Sequence, residues 1–146
     1  MSYPIVLTLH LLAALMFVGT VFFEVLILEG VRSKVPAAAM RQVEGAIGAR
    51  ARQLMPWVLL VLYGAGVAMA WQHRDALAHP LASSFGTLLS LKILLAVSVF
   101  GHFAAAMILH RRRRLHARQA KFIHLSVFTQ VIIIVLLAKA MFYLHW

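Results

Sequence analysis

Apolar positions along the chain gather into four long runs, at residues 3–28, 53–71, 84–109 and 122–144. Each is close to the ~20 residues a helix needs to cross ~30 Å of hydrocarbon. Hydrocarbon offers no hydrogen bonds, so backbone groups must pair within the segment, and the runs predict helices. The short polar connections predict an up-down-up-down order. The expected fold is therefore all-α: an integral membrane four-helix bundle forming a single transmembrane domain over residues 1–146. The first run could be mistaken for a signal peptide. It is too long, lacks a basic segment before it, and carries Glu24 where a small-residue cleavage motif would stand, so it reads as an uncleaved helix.

The connections differ sharply in charge. Arg32, Lys34, Arg41, Arg50 and Arg52 lie between the first two runs, and Arg111, Arg112, Arg113, Arg114, Arg118 and Lys121 between the last two. The middle connection, "QHRDALAHP", has one Arg and one Asp. Most of the 14 Lys and Arg residues thus fall on one side, which the positive-inside rule assigns to the cytoplasm. Both termini are then expected in the periplasm of a bacterial inner membrane. Trp71, Tyr143 and Trp146 stand at the expected outer boundary and Trp57 near the inner one, as interfacial aromatics do. Within the first connection, "VPAAAMRQVEGAIGARAR" has apolar residues at helical spacing and predicts a short amphipathic helix in the cytoplasmic interface.

Composition sharpens this picture. With 63% apolar and 12% charged residues, a soluble globular domain is excluded. The net charge of +10 reflects topology, and "RRRR" beside a span is an anchor for anionic lipid headgroups. No aromatic or polar readers are interleaved with it, so membrane lipid rather than nucleic acid is the expected partner. Cysteine is absent, which removes disulfides, thiolate metal sites and cysteine nucleophiles.

Candidate chemistry rests on polar groups inside the runs. His10, Lys92 and Lys139 are expected at a common depth of roughly 10–13 Å below the outer surface. Glu24, His102 and His124 form a looser inner layer; His73, His79 and His145 belong to the outer surface, and His110 and His116 flank the inner one. At about 100° per residue, His10, Ala13, Ala14, Phe17, Val21 and Glu24 share one stripe, directed at the bundle. A lysine in mid-bilayer costs roughly 2.5–3.5 kcal/mol, lowered here by snorkelling, so an anionic partner is expected for the lysines.

His10 is the leading ligand candidate, for haem iron or for copper, both of which accept neutral imidazole; the alternative is a neutral ring that donates one hydrogen bond to a neighbouring helix. Haem also brings two propionates for Lys92 and Lys139. His102 is a structural residue, a second metal ligand or a proton carrier, although its depth differs from that of His10 by roughly 15 Å. His10 of a second copy in a homodimer, or His73, suits a sixth coordination position better. His124 is a lesser ligand candidate and otherwise interfacial. Met16, Met69, Met107 and Met141 are scattered, as core-filling methionines are. Tyr63, Thr129 and Gln130 are placed to bond across helices.

The segments "HLLAALMFVGTVFFEVLIL", "LKILLAVSVFGHFAAAMILHRRRR" and "VLLAKAMF" resemble the CopD superfamily of small membrane proteins and its neighbour, the HemJ-type protoporphyrinogen oxidases. His10, Phe17 with Gly19, Lys92 and Lys139 occupy the places of the family's early histidine, aromatic-Gly pair, third-span lysine and late lysine. The resemblance implies a haem b-binding inner-membrane protein, similar to a small b-type cytochrome. It would act in electron transfer with a redox partner, or as an oxidoreductase on porphyrin or haem, with Phe17 also lining the cofactor. The alternative it implies is a CopD-type copper transport or copper-tolerance protein. A scaffold for a larger membrane complex is the third expectation.

Overall fold

The computed structural model describes residues 2–144. His145 and Trp146, expected at the outer boundary, lie outside the described residues. Helix α1 (Tyr3–Phe22) runs through a π-helical segment (Phe23–Leu28) into α2 (Glu29–Arg32). After a tight turn come α3 (Ala37–Gln72), the short α4 (Arg74–Ala78), α5 (Ser84–Arg111) and α6 (Ala117–Ala140). No strand occurs among the described residues. Four helical stretches are long and apolar enough to cross a membrane: Tyr3–Arg32, Ala37–Gln72, Ser84–Arg111 and Ala117–Ala140. The chain is an all-α, multi-pass membrane protein, and its contacts group it into two compact units, Met1–Met69 and Ala70–Trp146.

In the first unit, Pro4 sits in the opening turn of α1, where its missing N–H costs nothing. The buried face of α1 is Val6, Ala13, Phe17 and Val21. Leu11, Leu12 and Leu15 point outward with more than half their surface exposed, the side expected to meet lipid tails. Hydroxyls that would otherwise be stranded in hydrocarbon bond back to their own helix, Thr8 to the Pro4 carbonyl and Thr20 to that of Met16, each at 2.8 Å. At the far end Arg32 reaches two carboxylates, Glu29 at 3.0 Å and Glu44 of α3 at 2.6 Å. The Arg32 side chain is about half exposed, so this bridge orients α2 against α3 more than it stabilises them.

The amphipathic segment expected as a separate interfacial helix is helical, but it does not stop at Arg52. It runs without interruption into the second span as the first 16 residues of the 36-residue α3. Nothing between Arg52 and Gln53 breaks a helix. Pro56 removes one backbone donor, to the Arg52 carbonyl, and the helix passes through it. At 1.5 Å per residue α3 is about 54 Å long, well beyond the ~30 Å of hydrocarbon.

In the second unit α5 and α6 pack as an antiparallel hairpin. Ser83 caps α5, its Oγ accepting from the Gly86 N–H at 3.1 Å. The Thr87 hydroxyl reaches the Pro80 carbonyl at 2.8 Å and the Ser83 carbonyl at 3.0 Å. Gly86 is buried because α4 passes directly over it: a Cβ there would stand 2.8 Å from the Ala76 carbonyl oxygen and 3.2 Å from that of Pro80. The arginine run closes α5, with Arg113 in the left-handed region (φ 53°) and the Arg114 N–H returning to the Leu109 carbonyl at 2.9 Å. The fourth span ends earlier than its apolar run suggests. Helix α6 stops at Ala140, and residues 141–143 form a turn.

Two outcomes test this fold. Gly86→Ala forces a backbone shift at the α4–α5 corner and should cost about 1–3 kcal/mol, read as a lowered unfolding midpoint in detergent. The chain has no cysteine, so Ser33→Cys and Ala82→Cys can each be labelled alone. Because α3 crosses between them, a membrane-impermeant maleimide should reach the two from opposite sides, and reaction of both on intact cells would show that α3 does not span.

Candidate functional site

His10 lies in the third turn of α1, about 10 Å along the helix from its first residue. Its ring is half-buried, and Nδ1 is 2.9 Å from the Leu62 carbonyl oxygen of α3. A carbonyl only accepts, so Nδ1 carries the proton and, in the neutral ring, the lone pair is on Nε2. Gly66 lies beside the ring. It follows Leu62 by one helical turn, and a Cβ on it would stand 3.4 Å from His10 Cε1 and 3.6 Å from Nδ1. The backbone carbonyl thus fixes both ring orientation and tautomer, the second-sphere arrangement of metal-binding histidines. Phe17, two turns further along the same face, is 7% exposed and packed by protein.

Glu24 is half-buried and lies in the π-helical segment, where the Glu29 N–H bonds to the Glu24 carbonyl. The wider turn shifts the register of the side chains that follow, and such segments often mark functional positions. Sequence patterning gave no sign of it.

The remaining candidates belong to the second unit. Lys92 is half-buried about 12 Å into α5, and no hydrogen bond or ion pair reaches it among the described residues. Lys139 is exposed in the last turn of α6, its ammonium 4.8 Å from the Tyr143 ring centre. With α6 ending at Ala140, Lys139 is close to the helix terminus and not several residues inside it, and its ammonium is seated on an aromatic ring. His73 precedes α4 and stacks at 5.3 Å on Phe85, which in turn meets Phe142 edge-on at 6.3 Å. His124 is exposed on α6.

His102 stands differently from His10. Its Nδ1 donates to the Ser98 carbonyl one turn back on α5 at 2.8 Å, and Nε2 is 3.1 Å from the Ser126 hydroxyl of α6. Ser126 in turn accepts from the Gln130 amide at 3.0 Å. Both ring nitrogens are thus engaged by protein, and a metal could take Nε2 only if Ser126 turned away. Ser126, which sequence reasoning passed over, closes this chain. Its signal was available: it is one turn before Gln130 on an otherwise apolar face.

Among the described residues no three His, Asp or Glu side chains converge as a metal-ion site. No protein-family model, curated protein or solved structure matches the chain.

The approach at Gly66 is testable. Gly66→Ala adds only an ordinary van der Waals contact and should be tolerated. Gly66→Leu should push the His10 ring off the Leu62 carbonyl and lower stability in detergent by about 1–3 kcal/mol. An unchanged unfolding midpoint for the leucine variant would mean that the ring does not occupy that position.

Proposed function

We propose that this protein binds haem b in a bacterial inner membrane, with both termini periplasmic, and serves electron transfer or porphyrin oxidation. The observation that carries the reading is the His10 ring, held inside the first unit by its Nδ1–H on the Leu62 carbonyl, which leaves the lone pair of the neutral ring on Nε2. A bare copper ion needs several converging protein ligands, and the described residues offer no such group. A porphyrin supplies four of its own, so one oriented imidazole is sufficient protein chemistry. When bound, haem supplies a one-electron iron couple at the depth of its ligand.

The chain's own residues would do the rest. His10 would hold the iron. Lys92, a cation within a span and without an internal counter-charge among the described residues, favours an anionic group such as a propionate. Lys139, at the helix end, takes a carboxylate nearer the headgroups. His102, with both nitrogens engaged, is better suited to carrying a proton than to coordinating iron. A second copy of the chain would cover a flat cofactor more fully, and one-electron chemistry requires a redox partner.

Optical spectra of protein expressed with haem supply test the reading. Wild type should show a Soret band and a reduced α-band, both lost in His10→Ala. Lys92→Gln should keep the bands while weakening haem affinity about tenfold, the effect of ~1.4 kcal/mol from one lost ion pair. Wild-type protein without a Soret band, or His10→Ala with an unaltered one, would end the proposal; metal analysis finding copper without porphyrin would favour the copper reading.

A further inference from the structure

The α5–α6 hairpin holds a chain of polar groups that a haem ligand at His10 leaves unused. It runs from the Ser98 carbonyl through the His102 ring and the Ser126 hydroxyl to the Gln130 carboxamide, with links of 2.8, 3.1 and 3.0 Å. Its direction is set by chemistry. His102 Nδ1 must donate to a carbonyl, so Nε2 accepts from Ser126, and Ser126 accepts from the Gln130 NH₂. The far end is incomplete: Gln130 Oε1 is buried and accepts no hydrogen bond. A buried amide oxygen without a donor costs about 1–3 kcal/mol, an expense that asks for a use.

From this arrangement we infer that His102, Ser126 and Gln130 form a proton-carrying site, in which the carboxamide of Gln130 reverses when the ring is charged. A shallow groove of about 290 Å³, lined by Phe122, Leu125, Ser126, Thr129 and Gln130, leads from the helix surface to the hydroxyl. The Thr129 hydroxyl is turned to its own helix, bonding the Leu125 carbonyl at 3.0 Å, and does not compete. A hydronium ion in the groove delivers a proton to Ser126 Oγ and is left as water, as the hydroxyl passes its own proton to His102 Nε2. One O–H bond breaks on the hydronium, one O–H bond forms and one breaks at Oγ, one N–H bond forms on the ring, and no electron moves. The ring is now an imidazolium that donates to Oγ, and the Ser126 hydroxyl needs a new acceptor. A half-turn of the Gln130 carboxamide brings Oε1 into the place its nitrogen held, and no bond to Oε1 has to be broken first. Release of the proton to the groove reverses each step.

The charged groups described on the packed elements stand away from the ring. On α6, Lys121 and His124 stand about 140° and 160° around the helix from Ser126, and Arg118 and Lys139 are about 12 and 20 Å along it. On α5 itself Lys92 and His110 are about 15 and 12 Å away along the axis, and Arg74 and Asp75 of α4 pack at the opposite end of α5. The site rests on the hairpin alone and does not require that His10 bind haem.

Haem-free, full-length protein in lipid bilayers, labelled with ¹⁵N in histidine and glutamine side chains, provides the test by solid-state NMR. His102→Gln identifies the ring signals and Gln130→Leu the amide signal. The neutral His102 ring should be a single Nδ1–H tautomer, and acidification should bring in the imidazolium signal. The Gln130 amide signal should shift with the same midpoint. In Ser126→Ala that coupled shift should be lost, and in Ser126→Thr it should return, while the His10 ring signals stay unchanged as the control for folding. A Gln130 amide signal that does not move when the His102 ring is charged, or a Gln130 shift that survives Ser126→Ala, would overturn the inference.

Discussion

Hydrocarbon cannot hydrogen-bond, and nearly every feature of this molecule answers that one constraint. Apolar side chains on the four spans can face lipid without penalty, so burial inside the protein is slight and little of the fold depends on a large core. Polar groups have no such freedom. Thr8, Thr20 and Thr129 fold their hydroxyls onto carbonyls four residues back. The two membrane histidines whose bonds are described each commit Nδ1 to a backbone carbonyl. What differs is where that carbonyl is, and the difference separates their chemistry.

For His10 the acceptor is on another helix. The bond crosses from α1 to α3, passes beside Gly66, and orients the ring. For His102 the acceptor is on the same helix, and the second nitrogen meets a serine that is itself tied to a glutamine. The first arrangement suits holding an electrophilic metal along a fixed direction. The second suits exchange of a proton, because every group between the ring and the groove can both give and accept a hydrogen bond. The two arrangements belong to separate units of the chain.

Much of the architecture was legible because lipid solvation writes a coarse signal: long apolar runs and a lopsided distribution of arginine. The helix ends were less legible. The run of apolar residues after Lys139 continues to Leu144, yet α6 stops at Ala140, since interfacial residues can be apolar without being helical. The reverse holds for α3, where charged and apolar sequence on either side of Arg52 belongs to one helix. Polarity marks where a membrane begins; it does not mark where hydrogen bonding along a helix stops. The π-helical segment around Glu24 had no compositional mark at all, because it differs from an α-helix only in which carbonyl each N–H chooses.

By itself the sequence determined the helical class, the four crossings and the set of polar side chains that have to be accommodated within them. These follow from transfer free energies that depend on residue type alone. Tertiary structure decided which nitrogen of each histidine is protonated, that the Lys139 ammonium is seated over Tyr143, and that Ser126 joins His102 to Gln130. Those outcomes depend on distances of about 3 Å between groups remote in sequence, and hydrogen bonds form only at such distances.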